Sequence, residues 1–146
     1  MEVKVKTHIG SYGIVISNDR IVLIKKSRGG YTGKLDLPGG KIEHEESPME
    51  ALRRELNEEA NLNVDKYKLF DVCDTNIKWQ MNEVLWEDLH HIGILYLVMY
   101  NNEEIKYTAD GLDSNGADFY DIENLKKEEL TPFAIYALEK LGYELK

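Results

Sequence analysis

The sequence contains little of what several classes of protein depend on. A single cysteine, Cys73, occurs among 146 residues, which excludes an intramolecular disulfide and a zinc site built from cysteines. We expect this thiol to pack as a small buried apolar group. The longest apolar run, residues 92–100, is too short to cross a bilayer.

Basic charge is also scarce. The chain has 27 acidic against 18 basic residues and a net charge of −9. Binding to DNA, RNA or an anionic membrane depends on clustered Lys and Arg that neutralise phosphates, so we expect neither a DNA partner nor a membrane partner. A small phosphorylated substrate would need metal ions beside it. The first residues contain no apolar leader segment, and we expect a cytoplasmic protein.

The length and patterning favour one domain over residues 1–146 with its own core. Alternating and continuous apolar stretches predict about six strands, and helical periodicity with caps predicts two helices. The predicted strands are 3–16, 21–24, 35–37, 67–81, 89–100 and 117–121, and the predicted helices are 47–61 and 131–141. This pattern favours an α/β fold with a mixed β-sheet between helices.

The first helix has clear start and stop signals. Ser47 is a favoured N-cap, Pro48 suits the first helical position, and Glu50 completes a capping box with Ser47. Asn61 stands where helices commonly end in one left-handed residue, a conformation that Asn tolerates. Thr131 and Pro132 repeat the start signal for the second helix.

Three glutamates of the first helix, Glu55, Glu58 and Glu59, are spaced i, i+3 and i+4, so they share one helical face. Such a face is most often solvated surface. It also suits a hard divalent cation, because Mg²⁺ prefers carboxylate and carbonyl oxygens and completes its shell with water and substrate phosphates.

The residues around this face form a longer pattern with fixed spacing. From a glycine the order is five residues, a glutamate, seven residues, and then Arg-Glu-Leu-x-Glu-Glu-x-Asn-Leu, which places the defined positions at Gly40, Glu46, Arg54, Glu55, Leu56, Glu58, Glu59, Asn61 and Leu62. This pattern resembles the box of the Nudix hydrolases (MutT-like) over 23 residues, and departs from it only at Asn61, where the family has glycine.

The resemblance implies the Nudix-type α/β/α sandwich and a set of roles. The Gly40 carbonyl, Glu55, Glu58 and Glu59 would hold Mg²⁺, with Mn²⁺ as an alternative. Glu58 or Glu55 would take the proton of the attacking water, and the sequence does not decide between them. Arg54 would orient the glutamates, and Glu46 would brace the loop. Lys26 and Gly39 would contact the substrate.

Other polar and aromatic residues carry weaker signals. His90 and His91 are adjacent on a predicted strand and point to opposite faces, so they cannot hold one zinc ion together, although one of them can line a pocket. Trp79 and Trp86 are candidates to stack on a base, but aromatic residues in strands are more often core. Residues 110–118 do not fit a calcium loop and are interpreted as a loop that leads into a strand.

The resemblance implies hydrolysis of a pyrophosphate bond in a nucleoside diphosphate linked to another moiety, such as a nucleoside triphosphate, ADP-ribose or a nucleotide sugar. The alternative is a non-catalytic module of the same fold that binds a nucleotide or ADP-ribose. The partner in both cases is a small nucleotide, and a homodimer is a candidate assembly. The sequence does not identify the substrate.

Overall fold

A computed structural model describes residues 1–106 and 114–146. Its two helices are α1 (Pro48–Ala60) and α2 (Pro132–Lys140), and two short 3-10 helices span Ile122–Asn124 and Lys127–Glu129. The strands are β1 (Glu2–Ile14), β2 (Ile16–Ser17), β3 (Arg20–Lys26), β4 (Leu35–Asp36), β5 (Gly39–Lys41), β6 (Tyr67–Gln80), β7 (Leu85–Val98) and β8 (Ser114–Asp121).

The strands form two four-stranded sheets. The first has the order β5-β1-β7-β6 and is mixed, because β1 and β7 run parallel while the other neighbours are antiparallel. The second joins β2, β3, β4 and β8 in antiparallel pairs. The predicted strand 3–16 is divided at Val15, because Ile14 pairs with β7 of the first sheet and Ile16 pairs with β3 of the second.

Alternate residues of the central strands face opposite helices. Ile14 of β1 lies in one buried cluster with Phe133 of α2, and the next residue, Val15, lies in a second cluster with Leu52 and Leu56 of α1. Neighbouring residues of an extended chain point to opposite sides, so the strands lie between the two helices. The predicted α/β class, with a mixed sheet between helices, is confirmed.

Helix α1 begins and ends as its caps predict. The Glu50 N–H donates to Ser47 Oγ at 3.1 Å, and the Ser47 N–H donates to the Glu50 carboxylate at 3.1 Å, which is a complete capping box. Asn61 is the C-cap, in the left-handed region at φ 60° and ψ 34°. Leu52 and Leu56 are fully buried, and each contributes about 1.5–3 kcal/mol to holding the helix on the sheet.

Asn61 does more than tolerate this backbone conformation. Its Nδ2 donates to the carbonyl of Glu104 at 2.9 Å, and the Lys106 N–H donates to the carbonyl of Ala60 at 3.1 Å. The end of α1 is therefore fastened to residues 103–106, a contact that glycine at position 61 could not make through a side chain.

Helix α2 is anchored to the opposite side of the sheets. Thr131 Oγ1 accepts from the Ala134 N–H at 3.4 Å and donates to Asp36 at 2.6 Å. Since Asp36 also accepts from the Leu37 N–H at 2.8 Å, the turn that follows β4 and the start of α2 are fixed to each other.

The expectation that Cys73 is a buried apolar group is wrong, because the residue is partly exposed. Partial burial nevertheless raises the pKa of its thiol to about 11. Of the predicted loop 110–118, residues 110–113 lie outside the described residues, and β8 begins at Ser114, three residues before the predicted strand. Among the helices that the structure describes, none combines the length and apolar character needed to cross a bilayer.

Candidate active site

A cavity of about 860 Å³ is lined by the exposed face of α1, by β1 and β5, and by the loop after β3. The end of β6 and the first half of β7 complete its wall. Six of the eight predicted site residues line it, namely Lys26, Gly39, Gly40, Arg54, Glu55 and Glu58. The other two, Glu46 and Glu59, contact residues of its wall, Glu46 through Arg54 and Glu59 through Gly39.

Arg54 connects the loop before α1 with the glutamates of the helix. Its Nε and one terminal nitrogen donate to the two oxygens of Glu46 at 2.8 and 2.9 Å, a bidentate pair. The other terminal nitrogen donates to Glu55 at 2.8 Å and lies 3.7 Å from Glu58. Arg54 also donates to the carbonyl of Lys41 at 3.1 Å.

The charges of this network stabilise one another. The hydrogen bond from Arg54, together with that from the Glu43 N–H, lowers the pKa of Glu46 to about 2, and the hydrogen bond to Glu46 raises the pKa of Arg54 further. Both groups are therefore charged at neutral pH. Bidentate arginine–carboxylate pairs are geometrically specific as well as strong, so the position of the guanidinium, and with it that of Glu55, is fixed.

Glu55 directly faces the glycine turn, which is formed by Gly39 and Gly40 at the start of β5. A Cβ atom at Gly40 would lie 2.8 Å from the carboxyl carbon of Glu55 and within 3.0 Å of both its oxygens. A side chain at position 40 would therefore displace this carboxylate. The missing side chain leaves the backbone of Gly40 and the carboxylate of Glu55 side by side on the cavity wall.

Glu58 and Glu59 have different environments in spite of being adjacent. The side chain of Glu58 is 49% exposed and lines the cavity. Glu59 is 2% exposed, and its carboxylate accepts the Gly39 N–H at 2.7 Å. Glu59 thus fixes the glycine turn from the protein interior, while Glu58 faces the open space.

The donor set suits a hard divalent cation only in part. Among the side chains that the structure describes, no three His, Cys, Asp or Glu residues come together closely enough to hold an ion by themselves. Two carboxylates and a glycine backbone do face the same cavity. Oxygen ligands of this kind fit Mg²⁺, which usually takes one or two carboxylates and completes its shell with water and substrate phosphates.

The extended backbone of β7 places His90 and His91 on opposite faces of the strand. His90 points to the outer face and contacts Asp74 at 2.7 Å, whereas His91 is buried, lines the cavity and contacts the Tyr12 hydroxyl through its Nε2 at 2.6 Å. The predicted opposition of the two rings is confirmed. The Tyr12–His91 contact was not predicted, because the two residues are 79 positions apart and meet only through β1–β7 pairing.

We expect His91 to make the fold sensitive to acid. Burial lowers its pKa from 6.5 to about 3, with the charges of His8 and Lys26 as smaller causes. The unfolded chain protonates this histidine below about pH 6.5 and the folded chain does not, so the free energy of unfolding falls as pH decreases from 6.5 toward 3. We expect a loss of about 3 kcal/mol between pH 6.5 and pH 4 from this group, at about 1.4 kcal/mol per pH unit.

Urea unfolding of wild type and of His91→Gln at several pH values measures this loss. Glutamine keeps a hydrogen-bonding partner for Tyr12 but does not titrate, so the variant should lose less stability toward pH 4. His44→Gln is the control, because the side chain of His44 is 96% exposed. An identical pH dependence in His91→Gln and wild type would contradict the assignment.

The chain is similar to known proteins both in sequence and in fold. A family model described as "NUDIX domain" matches residues 7–141. The chain belongs to the Nudix family. The resemblance found in the residues of the box is confirmed, and the match covers nearly the whole chain.

Curated relatives of this Nudix chain are longer proteins. An ADP-ribose pyrophosphatase of Methanocaldococcus jannaschii is 30% identical over 115 residues, which cover 79% of this chain and 62% of that protein. A U8 snoRNA-decapping enzyme of Homalodisca vitripennis is 26% identical over 89 residues, 61% of this chain and 46% of that protein. The chain thus spans about half to two thirds of the length of these relatives.

Solved structures share the Nudix fold at low identity. A MutT NUDIX hydrolase from Burkholderia pseudomallei superposes with a TM-score of 0.74 at 24% identity, covering 93% of this chain and 98% of that one. The NUDIX domain of Shewanella oneidensis NrtR, complexed with ADP ribose, gives a TM-score of 0.68 at 13% identity, covering 93% and 86%. These likenesses show the fold.

Proposed function

We propose that this Nudix chain hydrolyses the pyrophosphate bond of a nucleoside diphosphate linked to another moiety, with Mg²⁺ as its metal and Mn²⁺ as an alternative. The observation that carries the proposal is the position of Glu55, which lies against Gly40, is held by Arg54 and faces a cavity of about 860 Å³. A relative named ADP-ribose pyrophosphatase and a neighbour complexed with ADP ribose support this substrate class.

In this proposal Glu55, Glu58, Glu59 and the Gly40 carbonyl would hold the ion. When bound, it would neutralise charge on the substrate phosphates and lower the pKa of a water molecule. Glu58 or Glu55 would accept the proton of the attacking water. Both carboxylates line the cavity, so geometry leaves the two candidates open. Glu59 is 2% exposed and accepts the Gly39 N–H, so it is the most deeply placed of the proposed ligands.

The remaining residues position these groups and the substrate. Arg54 orients Glu55, and Glu46 fixes Arg54 through its bidentate contact. Lys26 lies on the cavity wall, where its ammonium attracts a substrate phosphate. The Gly39 N–H is used by Glu59, so the role we propose for Gly39 is to let the substrate approach the turn closely.

The test is a product-resolved turnover assay with a panel of nucleoside triphosphates, dinucleoside polyphosphates, nucleotide sugars and ADP-ribose, with Mg²⁺ and with excess chelator. We expect at least one compound to give two phosphorylated products at the pyrophosphate bond, and chelator to abolish this turnover. Binding of a panel compound without any product would contradict the hydrolase and support a nucleotide-binding module.

Arg54→Lys should separate the positioning role of Arg54 from its charge. Lysine keeps the positive charge but cannot make the bidentate contact with Glu46, so Glu55 loses its fixed position. We expect kcat to fall by about 10- to 100-fold, the usual effect of losing a group that orients a metal ligand.

Arg53→Lys is the matched control, because the neighbouring Arg53 donates to the carbonyl of Val64 on the other side of the helix. It should leave kcat unchanged. Equal kcat values for Arg54→Lys and wild type would show that the bidentate contact has no role in catalysis.

A further inference from the structure

The far end of the cavity holds a buried carboxylate to which the proposed reaction gives no role. Glu87 of β7 is 6% exposed and lines the cavity, and its Oε1 accepts the Trp79 indole N–H at 2.9 Å. Trp79 also lines the cavity and is the register partner of Glu87 on β6. Among the described side chains, no lysine or arginine forms an ion pair with Glu87, and its one hydrogen bond comes from Trp79.

The Trp79 ring is held on two sides. Its N–H is fixed by Glu87, and the loop after β3 packs against the ring, since a Cβ at Gly30 would lie 3.1 Å from Cγ and Cδ1 of the indole. Gly30 itself lines the cavity. A fixed indole beside a carboxylate is an arrangement that can receive a nucleobase, by stacking on the ring and hydrogen bonding at the base edge.

The pair and Gly40 lie at different positions along the same sheet. Glu87 pairs with Lys4 of β1, and Gly40 pairs with Ser11 of the same strand. The interval from Lys4 to Ser11 corresponds to about 23 Å along β1, at roughly 3.3 Å per residue. An extended nucleoside diphosphate, with its metal ion, covers a distance of this order between its base edge and the Glu55 carboxylate.

We propose that Trp79 and Glu87 form a base-binding subsite that selects guanine over adenine. The inference rests on the proposed function, which places the diphosphate beside Glu55. An ionised carboxylate only accepts hydrogen bonds and retains acceptor positions after one contact. Guanine presents two adjacent donors, N1–H and the 2-amino group, and satisfies both oxygens. Adenine presents its 6-amino group beside the N1 lone pair, which faces the second oxygen unfavourably.

Equilibrium binding of GDP, IDP and ADP to the full chain with Mg²⁺, measured by calorimetry, tests this selection without turnover. A good bidentate contact discriminates between bases on the order of tenfold to a hundredfold, so we expect GDP to bind that much more tightly than ADP. IDP lacks the 2-amino group and should fall between them.

Glu87→Gln should reverse the order. The glutamine amide offers one acceptor and one donor, which match the amino group and N1 of adenine but oppose one of the two guanine donors. The glutamine oxygen can still accept the Trp79 indole N–H, so the contact between residues 79 and 87 should persist in the variant. Trp79→Ala should instead weaken GDP and ADP together, by about tenfold, because stacking does not depend on the base.

Asp88→Asn is the matched control. It removes a negative charge from the neighbouring residue, which points to the opposite face of β7, and it should leave the ratio of GDP affinity to ADP affinity unchanged. Equal binding of GDP and ADP, or a ratio that Glu87→Gln does not alter, would overturn the subsite and leave any hydrolysis in the panel assay unaffected. A guanine preference lost in Glu87→Gln, without turnover of any panel compound, would support the subsite and contradict the hydrolase.

Discussion

Glu55→Gln is expected to lower kcat on the order of a thousandfold while the fold stays intact. The substitution keeps the size of the side chain but removes a negative charge beside Gly40. In the proposed mechanism this charge holds the metal ion, which supplies several kcal/mol of transition-state stabilisation. A thousandfold loss corresponds to about 4 kcal/mol. Single-turnover kinetics on the best panel substrate measures the effect.

Glu123→Gln is the control for this substitution, since it removes the same charge from an exposed position in a 3-10 helix away from the cavity wall. It should leave kcat unchanged. Circular dichroism and thermal unfolding establish that both variants are folded. A folded Glu55→Gln variant with the kcat of wild type would remove Glu55 from the mechanism.

Gly39→Ala is expected to destabilise the protein by about 2–6 kcal/mol, from backbone strain together with overpacking. Gly39 has φ +145°, and an added Cβ would lie 2.1 Å from the carbonyl oxygen of Ser11 and 2.7 Å from the Cα of Tyr12. Gly39 and Tyr12 are register partners between β5 and β1. Relief of the contact would therefore separate the two strands that carry the glycine turn.

Gly33→Ala provides a comparison in which only the backbone conformation is unfavourable. Gly33 has φ +88°, and an added Cβ would have no atom within 4 Å of it, so this substitution should cost about 1–2 kcal/mol. Urea unfolding of both variants measures the difference. If Gly39→Ala cost no more than Gly33→Ala, the close packing of the turn against β1 would be wrong.

Local signals in the sequence were sufficient for helix α1 and for the family. The capping box of Ser47 and Glu50 and the left-handed Asn61 depend on residues within one or two turns of each other, and the structure has both features. The spacing of Glu55 and Glu58 likewise follows from helical geometry alone. Such features do not depend on how distant strands pair, so they can be predicted without a tertiary structure.

Features that depend on strand pairing could not be predicted from the sequence. Val15 gives no local sign that the chain leaves one sheet for another, and the burial of Glu59 depends on where the glycine turn meets the helix. The contact between Tyr12 and His91 needs the parallel register of β1 and β7. Trp79 and Glu87 become neighbours only because β6 and β7 pair in one register.

The most direct test of the account is whether the carboxylates of α1 hold a divalent ion against a diphosphate. Electron paramagnetic resonance of Mn²⁺ measures this in the presence of a non-hydrolysable nucleoside diphosphate analogue, for wild type and Glu55→Gln. The account predicts that wild type binds Mn²⁺ more tightly when the analogue is present and that Glu55→Gln binds it at least tenfold more weakly, through loss of one of few protein ligands. Equal Mn²⁺ binding by the two proteins would contradict it.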